Sequence, residues 1–404
     1  MIKKYNTIEK EEINSVLKVL KNGEISGFVA AAIPEFYGGK EVKKLEQNFA
    51  KKFNSKYALS VNSATSGIYC MLMAHNIQPG DEVITSPYTM HATASSILQC
   101  SATPIFADIE GDTFGLDPKS VEKKISKYTK GILAVNIFGH SCEIIALKKL
   151  AKKYNLFLIE DNSQAPGGKL SNKSFTGSTG SASVYSLNRH KIIQCGEGGV
   201  VLTNSKKIFD KMALVRNHGE AVVRSFKTKD IQNTIGQNLR LTEIQAAIAT
   251  SQLKKLDRLN SERIRLCNRL TKNLKKYKQI KIPLVKKNYK HVYYFYVMQI
   301  DLKNLKYKPN KIVDLFKRNG FVLRHGYIKP LYHEPMFKKK ICFGNKGHPF
   351  ILNKRNKQID YNDHKQWKNC EEINKKVFLT NSIYHPYNLK DMDRFSNLLA
   401  KCLK

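Results

Sequence analysis

The stretch ASVYSLNRHKIIQCGEGGVVLTN, residues 182–204, contains two apolar runs joined by a loop that carries a lysine and a glycine turn. ASVYSL and GVVLTN have little polar alternation, as expected for strands buried on both faces of a sheet. Lys191 lies between them, ahead of the turn GEGG. Most lysines are exposed, and one held between two buried strands is unusual. Its amine, desolvated and with a lowered pKa, would be a nucleophile able to form a Schiff base.

Upstream of this stretch, five more apolar runs alternate with helical patterns such as SATSGIYCMLMAHNI and EIIALKKLAKKYN. The runs are YALSV (57–61), EVITS (82–86), TPIFADI (103–109), GILAVNIFG (131–139) and FLIED (157–161). Strands that alternate with helices indicate βα units around a parallel sheet. We therefore predict an α/β fold with a mostly parallel sheet of seven strands.

Downstream, the pattern changes. A strong amphipathic helix, GQNLRLTEIQAAIATSQLKKL, leads into a long basic helical segment, a strand in HVYYFYVMQI and helices in NKIVDLFKRNG and KDMDRFSNLLAKCL. This mixture predicts a smaller α+β domain. We place the N-terminal arm and large domain at residues 1–250 and the small C-terminal domain at residues 251–404.

Composition narrows the class of protein. The chain has 404 residues and a formal charge of +36, but its lysines are dispersed and no nucleic-acid-binding motif accompanies them, so we expect no nucleic-acid partner. The first residues lack a signal-peptide core, and no apolar run is long enough to span a membrane. The eight scattered cysteines indicate free thiols, and the histidines show no metal-ligand spacing. These features predict a soluble cytoplasmic protein with no membrane association and no metal site.

Polar groups follow several of the strands, where ligands of open α/β sheets bind. NSATSG (62–67) opens a helix and would either cap it or hold a phosphate on free backbone N–H groups. Asp161 ends FLIED as an N-cap or as the partner of a cation, Ser186 ends ASVYS, and Lys191 follows. Together they describe a site for an aldehyde that bears a phosphate and a basic ring nitrogen, which is pyridoxal 5'-phosphate.

The sequence resembles the DegT/DnrJ/StrS-type sugar aminotransferases, a branch of the aspartate-aminotransferase-like pyridoxal phosphate enzymes, from about residue 10 nearly to the C-terminus. The matching stretches are GDEVITSPYTMHAT, DTFGLDP, FLIEDNSQAPGG, YSLNRHKIIQCGEGGVVLTN, RNHG, GQNLRLTEIQAAI and YHPYNL. The resemblance implies an aspartate-aminotransferase-like large domain, this cofactor, and a homodimer with shared active sites.

The resemblance also implies roles for single residues. Lys191 would be the catalytic lysine that binds the cofactor and carries protons, Asp161 would pair with the pyridine nitrogen, and Gln164 would bond the ring hydroxyl. The remaining cofactor contacts would be Ala64, Thr65 and Ser186 at the phosphate, and Asn238 from a second subunit.

The position of the lysine distinguishes two reactions. Relatives that deoxygenate sugars at C-3 carry histidine at the catalytic position, and His190 is adjacent to Lys191. Counting back six residues from Glu197 of GEGG reaches Lys191, which is the spacing of the aminotransferases. The sequence therefore favours transamination.

Departures from the family pattern leave the substrate open. Where the family usually places an aromatic residue on the cofactor ring, this chain has Met90 followed by His91, and either could cover the ring. Arg324, His325 and Tyr327 lie where family members often approach the acceptor.

The expected donor is L-glutamate and the expected acceptor is a keto sugar on a nucleoside diphosphate, for polysaccharide or glycan synthesis. A keto-inositol and an eight-carbon oxo sugar acid of lipopolysaccharide are alternative acceptors. A regulatory relative that binds the cofactor without turnover is the alternative function.

Overall fold

The computed structural model describes residues 1–225 and 231–404. Its larger sheet has seven strands in the order β1-β7-β6-β5-β4-β2-β3. The strands are β1 (Tyr57–Val61), β2 (Glu82–Thr85), β3 (Thr103–Phe106), β4 (Thr129–Val135), β5 (Phe157–Asp161), β6 (Ala182–Ser186) and β7 (Gly199–Thr203). Strand β7 pairs antiparallel with β1 and β6, and the other neighbours pair in parallel. The predicted seven-stranded, mostly parallel sheet is confirmed.

Helices cover the sheet, as a sheet buried on both faces requires. The helices of this half are α1 (Lys10–Asn22), α2 (Lys40–Phe53), α3 (Ala64–Ala74), α4 (His91–Gln99), α5 (Pro118–Lys124), α6 (Ile144–Lys153) and α7 (Lys206–Arg216). Of these, α2, α3, α4, α6 and α7 contact its strands. Every residue of β2, β3, β6 and β7 is buried. The valine- and isoleucine-rich runs form strands because both of their faces meet apolar side chains.

The smaller sheet has the order β10-β11-β9-β8 and is antiparallel throughout. Its strands are β8 (Ile280–Lys281), β9 (Tyr296–Ile300), β10 (Arg324–His325) and β11 (Val377–Thr380). The helices of this half are α9 (Pro309–Arg318), α10 (Pro335–Lys338), α11 (Lys354–Gln358), α12 (Lys368–Lys376) and α13 (Leu389–Ala400). This α+β arrangement agrees with the sequence pattern.

One helix of 32 residues, α8 (Glu243–Leu274), links the two halves. It begins with a capping box, in which the Thr242 hydroxyl accepts from the backbone N–H of Gln245 while the Gln245 side chain accepts from the backbone N–H of Thr242. It packs against α1 and α2 near its start and against α13 further on. The boundary that we predict between residues 250 and 251 falls inside this helix and stays a prediction.

Part of the C-terminal half also packs on the edge of the larger sheet. Trp367 Nε1 donates to Phe106 O (2.9 Å), and the Tyr361 hydroxyl donates to Pro104 O (3.2 Å). Asn356 Nδ2 reaches Thr103 Oγ1 at 2.8 Å. These bonds satisfy polar groups of strand β3, which would otherwise be the open edge of the sheet.

All eight cysteines are free. Among the described residues, no helix is both long enough and apolar enough to cross a membrane.

Candidate active site

Strand register brings the predicted strand-end groups to one edge of the larger sheet. Val61 at the end of β1 lies opposite Gly199, and Gly199 lies opposite Ser186 at the end of β6. Strand β5 runs parallel to β6 and ends at Asp161. The segments that follow β1, β5 and β6 therefore start side by side, as the sequence predicted.

Lys191 lies in the loop between β6 and β7. The loop is held by backbone bonds from Lys191 N to Asn188 O (2.9 Å) and from Arg189 N to Gly196 O (2.8 Å). Gly196 has φ +86°, which glycine adopts at little cost. The Lys191 Nζ atom lies 4.8 Å from the centre of the Tyr294 ring.

Burial changes the chemistry of this amine. Desolvation lowers the pKa of Lys191 from its ordinary value of 10.5 to about 8, against the opposing effect of the Asp161 charge. An amine with this pKa is neutral far more often near neutral pH than a surface lysine is. Lys191 is therefore suited both to nucleophilic attack and to proton transfer.

Asp161 and Gln164 follow strand β5 and are both buried. The Asp161 carboxylate accepts from the backbone N–H of Ser163 (3.0 Å) and, over 3.5 Å, from the Thr93 hydroxyl. Gln164 Oε1 accepts from the backbone N–H of Phe138 (2.8 Å), and Nε2 donates to the Tyr327 hydroxyl (2.9 Å). Both side chains can form further hydrogen bonds. Asp161 has one carboxylate oxygen with only a long bond, and Gln164 has one amide N–H that is not donated to any described residue.

The start of α3 lies beside the antiparallel strand β7. Ser63 caps the helix, its hydroxyl accepting from the backbone N–H of Ser66 (3.1 Å), and Ala64 and Thr65 form the first turn. A Cβ added to Gly199 would lie 2.8 Å from Ala64 N, so a glycine is needed for this close approach. Ser186 is buried at the end of β6, and its hydroxyl accepts from the backbone N–H of Asn188 (3.3 Å).

A cavity of about 670 Å³ adjoins this edge. Two of its lining residues connect it to the groups above: Tyr294 lies under Lys191 Nζ, and Tyr327 is bonded to Gln164. The lining consists of Tyr5, Arg189, His190, Gln194, Arg263, Tyr294, Phe295, Arg324, Tyr327, Asn381 and Tyr384. These described lining residues include three arginines and no acidic side chain, so the cavity favours an anionic ligand.

Arg263 is the most unusual of the three arginines because it is only 3% exposed. Its guanidinium lies over the rings of Tyr5 (5.0 Å) and Tyr384 (5.5 Å). Within the described part of the chain its Nε has no hydrogen-bond partner, whereas Arg258 and Arg269 of the same helix each pair with a carboxylate. A buried cation without an anion is costly, so a ligand anion would stabilise it.

The three residues predicted at the acceptor separate in the structure. Arg324 lines the 670 Å³ cavity, and Tyr327 lines both this cavity and a neighbouring one of about 480 Å³. His325 lines only the neighbouring cavity, and its Nε2 lies 2.8 Å from Lys375 O. Arg324 and His325 are consecutive in strand β10, so their side chains point to opposite faces.

The residues predicted over the cofactor ring lie at the start of α4. Met90 is 57% exposed, and its sulfur accepts from the backbone N–H of Ala92 (3.0 Å). His91 Nε2 lies 3.7 Å from a carboxylate oxygen of Glu334. The residue of this region that reaches Asp161 is Thr93, which the sequence analysis did not single out. Coverage of the ring by Met90 or His91 stays a prediction.

Asn238 is exposed, and its backbone forms a bridge with Asn217. The next residue, Leu239, accepts the backbone N–H of Asn62 through its carbonyl (2.9 Å) and so holds this segment against the approach to α3.

The model of the DegT/DnrJ/EryC1/StrS aminotransferase family matches residues 6–346. A Helicobacter pylori UDP-4-amino-4,6-dideoxy-N-acetyl-beta-L-altrosamine transaminase is 32% identical over 337 residues, which are 82% of this chain and 84% of the relative. An Escherichia coli O157:H7 GDP-perosamine synthase is 35% identical over 242 residues, 60% of this chain and 65% of the relative.

A solved structure also matches along nearly the whole chain. It is a Helicobacter pylori aminotransferase involved in the biosynthesis of pseudoaminic acid, with a TM-score of 0.79 and 27% identity over 98% of this chain and 96% of the other. The similarity supports the aspartate-aminotransferase-like fold predicted from the sequence.

Proposed function

The chain belongs to the DegT/DnrJ/EryC1/StrS aminotransferase family, and on that premise we propose that it moves an amino group from L-glutamate to a keto sugar carried by a nucleoside diphosphate. The observation that supports transamination most is the pKa of the Lys191 amine, which is lowered to about 8 by burial near Asp161. The product would enter the synthesis of a surface polysaccharide or glycan.

Aminotransferases of this family depend on pyridoxal 5'-phosphate, and the residues at the sheet edge fit that group. The long bond to Asp161 Oδ2 leaves an acceptor for a protonated ring nitrogen, and Gln164 keeps an N–H for the ring hydroxyl. We propose that the first turn of α3, at Ala64 and Thr65, holds the phosphate together with Ser186. When bound, the cofactor supplies an electron sink for the bonds of the substrate carbon.

Lys191 would have two tasks in the reaction. Its Nζ would hold the cofactor through a covalent bond. As a free amine it would remove the proton from Cα of the donor and, in the other half-reaction, deliver a proton to the former keto carbon of the acceptor. Asp161 keeps the ring nitrogen protonated, and Tyr294 lies against the amine.

Arginines in the cavity support a strongly anionic acceptor. Arg189, Arg263 and Arg324 surround a volume that could hold a sugar with part of its diphosphate. Arginine binds phosphate and carboxylate oxygens through paired N–H groups, and these charge-assisted bonds are strong where water is excluded. A neutral keto-inositol would leave this charge unmatched.

The test of function follows the two half-reactions. The purified protein with pyridoxal phosphate is mixed with L-glutamate, and 2-oxoglutarate and the absorbance of the cofactor are measured. Nucleotide-linked keto sugars, a keto-inositol and an eight-carbon oxo sugar acid are then added separately, and amine products are identified by mass. Failure of glutamate to convert the cofactor would contradict the donor, and amination of only the neutral keto-inositol would contradict the acceptor class.

Substitution of Arg263 by methionine should weaken the acceptor selectively. Loss of a buried charge-assisted bond costs roughly 1.5–3 kcal/mol, so we expect KM for the nucleotide sugar to rise about 10- to 100-fold. The glutamate half-reaction should change by less than about threefold, because we assign Arg263 to the acceptor and not to glutamate.

Arg258→Met provides the matched control, because Arg258 lies in the same helix but is exposed and paired with Glu262. An equal loss in both half-reactions for Arg263→Met, with normal cofactor absorbance, would show that Arg263 does not discriminate the acceptor.

We also propose that the protein is a homodimer whose active sites are shared through Asn238. Exposure of Asn238 on the single chain, next to the segment that contacts Asn62, leaves its side chain free to reach a partner subunit. Isologous dimers place such a residue reciprocally in both sites.

Subunit mixing tests this arrangement. Lys191→Ala and Asn238→Ala should each be nearly inactive alone. After co-refolding at equal amounts, half of the dimers would be mixed, with one intact site of two, so activity should recover to about a quarter of the wild-type value. Recovery would fail if Lys191 and Asn238 served the site of the same subunit.

A further inference from the structure

A second group of ligand-type side chains lies outside the proposed active site. His333 ends a short 3₁₀ turn (Leu331–His333), His364 begins another (His364–Trp367), and Glu371 lies in α12. Each offers one atom that could bind a metal ion, and these three atoms lie within 4.8 Å of one another. Two imidazoles and a carboxylate are a ligand set that zinc uses.

Contacts within the group converge on one oxygen. His333 Nε2 lies 2.7 Å from Glu371 Oε1, and His364 Nδ1 lies 3.9 Å from the same atom. Two ligands on a tetrahedral zinc ion with bonds of about 2.0 Å are roughly 3.3 Å apart. Each of these two separations is about 0.6 Å from that value. The two imidazole nitrogens lie within 4.8 Å of each other, so they would have to approach by at most about 1.5 Å.

The imidazole of His364 has binding capacity that the described residues do not use. Its Nε2 is buried and has no hydrogen-bond partner among them, and its Nδ1 is beyond hydrogen-bond distance of Glu371. Its ring packs against His333 with centroids 4.2 Å apart. Nδ1, which faces Glu371, is the atom of this ring that we place on the ion, and Nε2 takes no part in the proposed site.

A neighbouring hydroxyl group holds the carboxylate of Glu371 in place. The Tyr332 hydroxyl donates to Glu371 Oε1 at 2.9 Å and would orient the carboxylate.

The group also borders open space. His333 and Glu371 line the neighbouring cavity of about 480 Å³, which Tyr327 and His325 line as well. Three protein ligands leave the fourth position of a tetrahedral ion facing this cavity. His364 and Glu371 lie beyond residue 346, where the family match ends, so this group does not follow from family membership.

We propose that His333, His364 and Glu371 bind one Zn²⁺ ion, with a water in the fourth position. The ion would fasten the two 3₁₀ turns to α12 and so fix the segment between Tyr327 and His333, which reaches Gln164 through the Tyr327 hydroxyl. This proposal does not depend on the proposed transamination.

Zinc binding by the purified full-length protein tests the proposal. The protein, freed of tags and treated with chelator, is titrated with Zn²⁺ in competition with a chromophoric chelator. We expect one ion per chain with Kd of about 1 µM or tighter. His333→Ala and His364→Ala should each weaken binding by at least ~100-fold, since even residues that only orient ligands cost about 10- to 100-fold.

His325→Ala is the matched control, because it removes an imidazole from the same cavity but not from the group. It should bind zinc as the wild type does. If His333→Ala does not fold by circular dichroism, His364→Asn replaces it, and the visible absorption of four-coordinate Co²⁺ gives a second readout. Less than one ion per chain at 100 µM, on the order of a hundred times the expected Kd, or unchanged binding in the His333 and His364 variants would overturn the proposal.

Discussion

Lys191→Ala should lower the turnover number of transamination by roughly 10⁴-fold or more, because one substitution removes both the covalent attachment and the proton carrier. Turnover is measured with saturating glutamate and acceptor, and the absorbance of the cofactor is recorded in parallel. The variant should bind the cofactor but lack the absorption band of the lysine adduct.

His190→Gln is the control for Lys191→Ala. His190 adjoins Lys191 and lines the cavity, but the spacing to Glu197 places it beside the catalytic position. We expect its turnover number to remain within about tenfold of the wild type, a small effect beside that of a nucleophile. Added methylamine should partly restore proton transfer to Lys191→Ala, which a purely structural lysine would not allow. Turnover of the alanine variant above about a hundredth of the wild-type value would contradict the role of Lys191.

Asp161→Asn should lower the rate of the glutamate half-reaction by about 10³-fold, because a neutral amide cannot keep the ring nitrogen protonated. It should also lower the pKa of Lys191 below about 8, since the charge of Asp161 is what opposes desolvation of the amine. Stopped-flow absorbance measures the first effect. Titration of Lys191 in the cofactor-free protein, by reaction with an amine reagent and peptide mass, measures the second.

Thr93→Val is the matched control for Asp161→Asn. It removes the 3.5 Å hydrogen bond to the carboxylate while the charge remains. Its half-reaction should slow by less than about tenfold, as expected for one long neutral bond. A higher pKa of Lys191 in Asp161→Asn, or a normal half-reaction rate, would contradict the assignment.

The sequence was most informative where one local rule decides the structure. Strands β1 to β7 follow apolar runs whose two faces are both buried, and Asp161 and Ser186 end two of them because polar groups can face the edge of the sheet. HVYYFYVMQI behaves differently: only Tyr296–Ile300 forms strand β9. The preceding residues contact the 3₁₀ turn after strand β4, where Val292 N donates to Gly139 O (2.9 Å), and Tyr293 adopts φ +49°.

Features that depend on distant contacts were not predictable in this way. In the sequence, Arg263 lies within a basic helical segment and looks like any other solvated cation. Only the structure shows that Tyr5 and Tyr384 pack against it. Residues adjacent in a sequence are easily assigned to one site. Arg324 and His325 nevertheless line different cavities, because successive side chains along a strand point to opposite faces. The expectation of no metal site rested on spacing, and His333, His364 and Glu371 meet only through tertiary packing.

The wall of the larger cavity joins residues from the two ends of the chain. Tyr5 donates its hydroxyl to Ile192 O (2.6 Å), next to Lys191, and its ring lies 4.5 Å from that of Tyr384. During synthesis Tyr5 leaves the ribosome nearly four hundred residues before Tyr384, the residue against which it packs. The wall beside Lys191 can therefore be completed only after the residues around Tyr384 have been synthesised.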